Sequence, residues 1–218
     1  MENYNTHREM VLNCARKISQ MGYVQGTGGN VSVKIDNTGM LAITPSNMEY
    51  DLLTVDDICV MDFNLSSVVD NGRKASIETG MHSAIYKNRP DVSAVVHTHQ
   101  IYASVFAVIN EPIPPLFDEA ASYIGNTIEV IPYSLSGTPD LADKVGAGVV
   151  SGNNCYILKN HGALSLGGTL DEAVRNSVLL EKTAQVYYMA LSTGRGISVL
   201  PQETQDLMHK LLVGRQKK

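Results

Sequence analysis

Two histidines in one short segment are the residues of this sequence whose type and spacing best suit chemistry. His97 and His99 lie in Val96-His97-Thr98-His99, directly after the mostly apolar residues 92–96. In an extended strand, residues two positions apart point to the same face of the sheet. The pair would therefore present two imidazoles side by side, which is what a divalent metal requires from one rigid element.

A third histidine and a carboxylate complete a candidate site for Zn²⁺ or a similar metal. Glu78 lies upstream of the pair, and His161 lies downstream in Lys159-Asn160-His161-Gly162. The chain has six histidines, and three of them fit this one site. The spacing alone leaves simpler interpretations open, because imidazoles also serve as ordinary polar side chains and a Glu near a helix start complements the helix dipole.

A glycine-rich loop at residues 26–30 is a candidate phosphate site. Glycines permit positive φ and let backbone N–H groups converge on an anion. The loop matches neither the dinucleotide-binding nor the P-loop spacing, so it favours one small phosphate over a nucleotide, with a plain turn as the alternative. Hydroxyl and amide groups that could complete this pocket come from Thr44, Ser46, Asn47 and Ser76.

Apolar periodicity predicts the elements that hold these residues. Helices are expected near residues 7–21, 77–87, 101–109, 138–149, 170–191 and 202–212. Strands are expected near residues 31–35, 40–44, 58–62, 92–97, 128–131, 155–158 and 163–166. Ser76 is predicted to cap the second helix, which places Glu78 in its first turn. This order predicts an α/β sandwich with a mostly antiparallel central sheet and helices on both faces.

The composition predicts one globular domain over residues 1–218, with a tail from about residue 195. The chain is 44% hydrophobic and 18% charged, and its net charge of −5 argues against a nucleic-acid or anionic-membrane partner. The basic cluster at residues 215–218 is expected to be solvated. A polar start and the lack of a long apolar run predict neither a secretory signal nor a membrane span. Cys14, Cys59 and Cys155 are expected to be buried, reduced thiols of a cytoplasmic protein.

In combination, these segments resemble the class II aldolase/adducin-head family. The resemblance covers about residues 7–191 and is carried, in chain order, by residues 26–32, 43–45, 76–78, 89–99 and 160–162. It implies a three-layer αβα sandwich and a C4 homotetramer with sites between subunits. It also implies a metal-dependent lyase that cleaves a phosphorylated ketose, by retro-aldol reaction, to dihydroxyacetone phosphate and an aldehyde.

The same resemblance implies a role for each candidate residue. His97, His99 and His161 correspond to the imidazole ligands of a catalytic Zn²⁺, with Mn²⁺ or Co²⁺ as alternatives. Glu78 corresponds to a carboxylate that ligates the metal at rest and then acts as the proton-abstracting base. The phosphate-pocket positions are occupied by Thr27, Gly29, Asn30, Ser46, Asn47 and Ser76.

Departures from the family pattern leave the reaction open. Phe117-Asp118-Glu119-Ala120 replaces a His-Tyr pair, the tail after residue 200 contains no Tyr, and Ile77 replaces a phosphate-pocket serine. Asp118 is therefore the candidate proton donor, as in the related ribulose-phosphate 4-epimerase, or else simply an acidic residue at a helix start. Epimerase or sugar-acid-phosphate decarboxylase activity remains an alternative, as does a non-catalytic adducin-head-like module. Glu78 favours the aldolase, since the epimerase has Asp there.

Overall fold

One mixed sheet forms the centre of the molecule, which a computed structural model describes for residues 4–217. Within these residues, the strands in chain order are β1 Asn30–Ile35, β2 Met40–Ile43, β3 Cys59–Asp62, β4 Ala94–Thr98, β5 Val130–Ile131, β6 Cys155–Leu158 and β7 Gly162–Gly167. Their order across the sheet is β3-β2-β1-β4-β7-β6-β5. All neighbouring strands run antiparallel except β5 and β6, which are parallel.

Helices cover both faces of this sheet. In chain order they are α1 Asn5–Gln20, α2 Thr79–Asn88, α3 Ile101–Ile109, α4 Asp118–Ile124, α5 Pro139–Gly148, α6 Leu170–Leu191 and α7 Gln202–Gln216. Apolar residues of α2 and α5 pack on one face, while those of α1, α3, α4 and α6 pack on the other. The predicted three-layer sandwich with a mostly antiparallel sheet is confirmed. None of the helices in residues 4–217 combines the length and apolar character that a membrane span requires.

Side-chain alternation in β1 and β4 decides which residues meet α2. Val31 and Val96 pack toward α1, whereas Val95 packs in the core beneath α2 and α5. Because the side-chain period of a strand is two, His97 shares the face of Val95, and Ser32 lies on the face opposite Val31. Polar groups therefore collect on the α2 side at the centre of the sheet.

The start of α2 differs from the prediction. The helix begins at Thr79, so Glu78 occupies the N-cap position and not the first turn, and Ser76 is not the cap. The Thr79 hydroxyl and backbone N–H both donate to the Ser76 carbonyl, at 2.6 and 3.0 Å. These local bonds close a turn over residues 76–79, so that the helix begins only at Thr79. Ser76 Oγ instead accepts a hydrogen bond from the Glu78 backbone N–H at 3.2 Å.

Further corrections concern the histidine strand and the basic tail. β4 covers Ala94–Thr98 and not residues 92–97, so His99 lies just beyond its end. The predicted solvated tail needs a correction at Arg215, which is exposed as predicted but also stacks 3.9 Å over the Tyr123 ring and donates to the Ser122 carbonyl. Residues 1–3 and 218, on which parts of the predictions for the two ends fall, lie outside the described residues. The prediction for the three cysteines is confirmed in that each is buried and unpaired.

Candidate metal centre and phosphate loop

Three imidazoles converge on one point beside the start of α2. The Nε2 atoms of His97 and His99 lie 3.1 Å apart, and the nearest ligand-type nitrogens of His97, His99 and His161 all fall within 4.8 Å of one another. The ring centroid of His161 is 4.7 Å from that of His97 and 5.4 Å from that of His99. The structure therefore brings the three predicted histidines together.

A backbone carbonyl fixes the orientation of the central imidazole. His97 Nδ1 lies 2.9 Å from the Ala163 carbonyl oxygen, which can only accept a hydrogen bond. The ring proton therefore resides on Nδ1, and Nε2 directs its lone pair toward His99 and Glu78. Metal-ligating histidines usually have such a partner on the second nitrogen, since it fixes both tautomer and ring orientation.

The Glu78 carboxylate faces the histidine cluster from the N-terminus of α2. Its Oε2 lies 3.3 Å from His97 Nε2, and its Oε1 lies 3.2 Å from His161 Nε2. Among the described residues, Oε1 is buried without a hydrogen-bond partner. An unpartnered buried oxygen is unfavourable unless another group completes its coordination. The structure thus brings all four predicted ligand residues to one place.

The protonation states in this cluster suit a cation. Burial lowers the pKa of His97 below its ordinary value against the opposing effect of Glu78, and burial also lowers the pKa of His99. Burial by itself raises the pKa of Glu78, but His97, His161 and the Asn30 amide outweigh it, so that the pKa lies below its ordinary value. At neutral pH the site thus offers the neutral imidazoles of His97 and His99 and an ionised carboxylate, the forms that ligate metals.

A tight hairpin carries His161 to the site. β6 and β7 pair as far as Leu158 and Gly162, and Asn160 in the connecting turn adopts a left-handed conformation at φ +54. A Cβ on Gly162 would lie 2.5 Å from the Thr98 carbonyl oxygen and 2.6 Å from His99 Cδ2. Only glycine allows this strand to approach the histidine pair so closely, which accounts for the sequence around His161.

The predicted phosphate loop lies on the other side of the histidine pair. Gly29 has φ +72, and a Cβ there would lie 2.6 Å from the His97 carbonyl oxygen. All six predicted phosphate-pocket residues line one small cleft of about 160 Å³, together with Glu78, His99 and His161. The side chain of Asn30 is also used inside the protein, because its Nδ2 donates to Glu78 Oε2 at 2.7 Å.

Asp118 does not reach this cleft within one chain. It is exposed at the start of α4, and the buried residues Ala120 and Ile124 of that helix pack on the face of the sheet opposite α2. Its predicted role as proton donor stays a prediction.

Two residues at or behind the site were not predicted. Ser136 lines the cleft with its Oγ 3.1 Å from His161 Nε2, and no spacing in the sequence identifies it. His82 is hydrogen-bonded to Asn30. Its position four residues after Glu78 puts both side chains on one face of the helix, and this spacing could have indicated that His82 lies near the site.

Comparison with known proteins decides the family. Residues 9–188 match the sequence model of the family described as Class II Aldolase and Adducin N-terminal domain. The chain belongs to this family.

Two relatives and one solved structure illustrate the similarity of this class II aldolase-family chain. It is 30% identical over 207 residues to a 5-deoxy-D-ribulose 1-phosphate aldolase of Bacillus thuringiensis, covering 95% of each chain. It is 33% identical over 203 residues to an L-fuculose phosphate aldolase of Escherichia coli O6:H1, covering 93% of this chain and 92% of the relative. A solved L-fuculose 1-phosphate aldolase superposes with a TM-score of 0.87 at 32% identity, covering 94% of this chain and 95% of the other.

The residues present fit the divalent metal that the class II aldolase family implies. Three imidazole nitrogens and a carboxylate form a nitrogen- and oxygen-rich donor set typical of Zn²⁺ and neighbouring transition metals. The unpartnered Glu78 Oε1 supplies the independent observation, since a cation at this point would satisfy it. His97, His99, His161 and Glu78 are therefore the residues that would hold the metal.

Proposed function

We propose that this chain is a metal-dependent aldehyde-lyase that cleaves a phosphorylated ketose to dihydroxyacetone phosphate and an aldehyde. The observation that carries the proposal is the position of the Glu78 carboxylate. It lies within 3.3 Å of the imidazoles of His97 and His161. It also lines the same cleft as the glycine-rich loop. The proposed base, the proposed metal ligands and the glycine-rich loop therefore surround one cleft.

The chain's own residues supply proton transfer and orientation. A Zn²⁺ ion bound by the histidines, or Mn²⁺ or Co²⁺ in its place, supplies Lewis-acid stabilisation of negative charge on substrate oxygens. Glu78 is ionised at neutral pH and serves as the base. In the synthetic direction it removes a carbon-bound proton, and in the cleavage direction it returns a proton to that carbon after a second group has accepted the hydroxyl proton. Its location at the N-terminus of α2 favours the charged form that removes the proton.

The glycine-rich loop is proposed to bind the substrate phosphate. Gly29 and Asn30 belong to the loop, while Ser46, Asn47 and Ser76 contribute polar groups from the facing turns. Both named relatives act, by their names, on phosphorylated ketoses, and cleavage to dihydroxyacetone phosphate requires the phosphate on C1. A ketose 1-phosphate, fuculose-1-phosphate-like, is therefore the proposed substrate class. An anchored phosphate would hold the reacting carbons beside Glu78 and restrict their orientation.

The proton donor is proposed to come from another copy of the chain. Asp118 lies on the far side of the sheet from Glu78, so only a neighbouring subunit could bring it to this cleft. This accords with the C4 homotetramer that the family resemblance predicts. We also propose the cytoplasmic location that the three isolated cysteines predict. Size-exclusion chromatography with light scattering measures the assembly directly, and a monomeric active enzyme would contradict the Asp118 role.

An aldol-cleavage assay tests the proposed function. Zn²⁺-loaded protein is incubated with L-fuculose 1-phosphate or 5-deoxy-D-ribulose 1-phosphate, and dihydroxyacetone phosphate is measured by coupled reduction. Release that disappears on chelation and returns with Zn²⁺ is the expected result. Product analysis by NMR distinguishes the alternatives, since an epimer or carbon dioxide in place of two fragments would replace the lyase with an epimerase or a decarboxylase.

A further inference from the structure

A buried row of hydrogen bonds runs from the interior of the protein to Glu78. Tyr86 Oη lies 2.7 Å from Ser32 Oγ, and Ser32 Oγ lies 2.6 Å from His82 Nδ1. His82 Nε2 lies 2.5 Å from Asn30 Oδ1, and Asn30 Nδ2 lies 2.7 Å from Glu78 Oε2. Each of these five residues is at least nine-tenths buried, and His82 is fully buried. His82, Ser32 and Tyr86 have no part in the metal and phosphate binding proposed for this site.

The geometry of one strand and one helix brings these side chains together. Asn30 and Ser32 are two positions apart in β1 and share the face of the sheet toward α2. Glu78, His82 and Tyr86 follow one another at four-residue intervals along α2 and its N-cap. Such intervals keep side chains on one face of a helix. A polar face of β1 therefore lies along a polar face of α2.

The direction of every hydrogen bond follows from the carboxylate at one end. Asn30 Nδ2 donates to the carboxylate oxygen Glu78 Oε2, so the Asn30 amide turns its NH₂ group toward the carboxylate. Asn30 Oδ1 then faces His82 Nε2, which must carry the ring hydrogen in order to donate. His82 is neutral, because burial lowers its pKa to about 4. Its Nδ1 is therefore an acceptor, and Ser32 must donate to it.

We propose that His82 is a positioning residue that sets the Glu78 carboxylate through Asn30. His82 holds the Asn30 amide in the one orientation that presents an N–H to Glu78 Oε2. That bond leaves Glu78 Oε1 directed at His161. Without His82, the amide is free to rotate, and its oxygen would then oppose the carboxylate. The catalytic consequence rests on the proposed function, whereas the proton arrangement and the geometry of the metal ligands do not.

Deuterium exchange into dihydroxyacetone phosphate gives the kinetic test. In D₂O, removal and return of the carbon-bound proton by Glu78 exchanges it for deuterium without any aldehyde, so the identity of the sugar is not needed. His82→Leu removes the donor to Asn30, and His82→Gln restores an N–H in a similar position. Ser83→Ala is the matched control, because Ser83 is the next residue of α2 and its buried hydroxyl donates to the Phe63 carbonyl, away from the site.

The expected outcome separates positioning from a general packing role. His82→Leu lowers kcat for exchange by about 10–100-fold with little change in KM, as is typical for residues that orient metal ligands or bases. It also weakens Co²⁺ binding to the metal-free protein, measured from the visible spectrum. His82→Gln recovers most of both properties, and Ser83→Ala retains both. Wild-type exchange and Co²⁺ affinity in folded His82→Leu would overturn the proposal.

A measurement on the unaltered protein covers the case in which His82→Leu does not fold. Nitrogen-15 NMR of the metal-free wild type is expected to show His82 as the neutral tautomer protonated on Nε2. Protonation on Nδ1 would reverse the row of hydrogen bonds and overturn the proposal. A wild-type protein that binds Co²⁺ and shows this tautomer but exchanges no deuterium contradicts the proposed function instead.

Discussion

Asn30 and His97 stand directly opposite each other in the antiparallel pairing of β1 and β4. Both side chains approach the same oxygen of Glu78, from 2.7 Å for Asn30 Nδ2 and 3.3 Å for His97 Nε2. One rung of the sheet thus carries a candidate metal ligand and the group that holds the candidate base. A register slip of one residue would turn one of them to the opposite face, so strand pairing itself assembles the site.

Replacement of His161 tests the metal centre. His161→Ala removes one of three converging imidazoles, and we expect the purified protein to lose stoichiometric Zn²⁺. Aldol cleavage should fall by about 10²–10³-fold, because Lewis-acid stabilisation is worth several kcal/mol. Metal is measured by mass spectrometry and activity by dihydroxyacetone phosphate release.

The matched control for this change is His209→Ala, which removes an exposed imidazole from α7. It should leave metal content and activity at the wild-type level. Full metal occupancy in His161→Ala would show that this imidazole is not a ligand.

Replacement of Glu78 tests the base. Glu78→Gln keeps an oxygen that can accept from Asn30 but removes the ability to take a proton, so we expect kcat to fall by about 10²–10⁴-fold. The change is read from steady-state kinetics at saturating metal. Glu172→Gln is the control, since Glu172 also lies near a helix start, where it accepts from the Gly168 N–H at 2.9 Å. Comparable kcat values for the two variants would remove Glu78 from the mechanism.

The sequence predicts the metal cluster well because strand periodicity acts locally. Alternation alone places His97 and His99 on one face, even though the strand ends at Thr98, one residue before the second of them. The helices Ile101–Ile109 and Leu170–Leu191 likewise have the predicted bounds, since each has a clear apolar repeat. His161 is a candidate by residue type alone until the resemblance assigns it a role, because no local rule connects it with a pair some sixty positions away.

Features that depend on side-chain hydrogen bonds are the ones the sequence did not predict. The turn before α2 is closed by the Thr79 hydroxyl, which apolar periodicity does not register. Ser32 and His82 are polar residues at buried positions. A pattern of hydrophobic and polar residues places polar residues at the surface, so it cannot predict that these two are hydrogen-bonded to each other. α7 continues past its predicted end because the stacking of Arg215 on Tyr123 anchors a helix in which only Leu212 is buried.

The close approach of Gly29 to β4 can be separated from its backbone conformation by two glycine substitutions. Gly29→Ala and Gly39→Ala both introduce a Cβ at positive φ, at +72 and +69. At Gly39 no atom lies within 4 Å, so we expect a loss of about 1 kcal/mol in the free energy of unfolding. At Gly29 the Cβ also meets the His97 carbonyl oxygen at 2.6 Å, and we expect a clearly larger loss together with reduced activity.

Urea denaturation of the metal-free variants measures both losses, and cleavage kinetics of the metal-loaded forms measure the effect on the site. Gly39→Ala should remain fully active. Equal losses for the two variants would mean that the loop can move away from β4 without penalty.

The ion pair between Arg89 and Asp91 predicts a pH-dependent contribution to stability. The buried Arg89 guanidinium donates to both oxygens of Asp91, at 2.9 and 2.7 Å. Burial raises the pKa of the Asp91 carboxyl, but Arg89 outweighs burial and holds the pKa below its ordinary value. The folded state then releases the Asp91 proton more readily than the unfolded chain. The stabilisation is therefore complete above pH ~4 and is lost as the pH falls through the lower folded-state pKa.

Asp91→Asn should consequently reduce the free energy of unfolding at pH 7 by about 1–2 kcal/mol, a modest value because Asp91 is partly exposed. The difference from wild type should shrink as the pH falls below about 4, because the unfolded chain then takes up a proton that the folded Asp91 binds less readily. Urea denaturation of the metal-free proteins across this range gives the curve. Asp143→Asn, an exposed carboxylate on α5, should follow the wild type at every pH. A loss in Asp91→Asn that stays constant from pH 7 to pH 3 would show that Asp91 acts through packing and not through its charge.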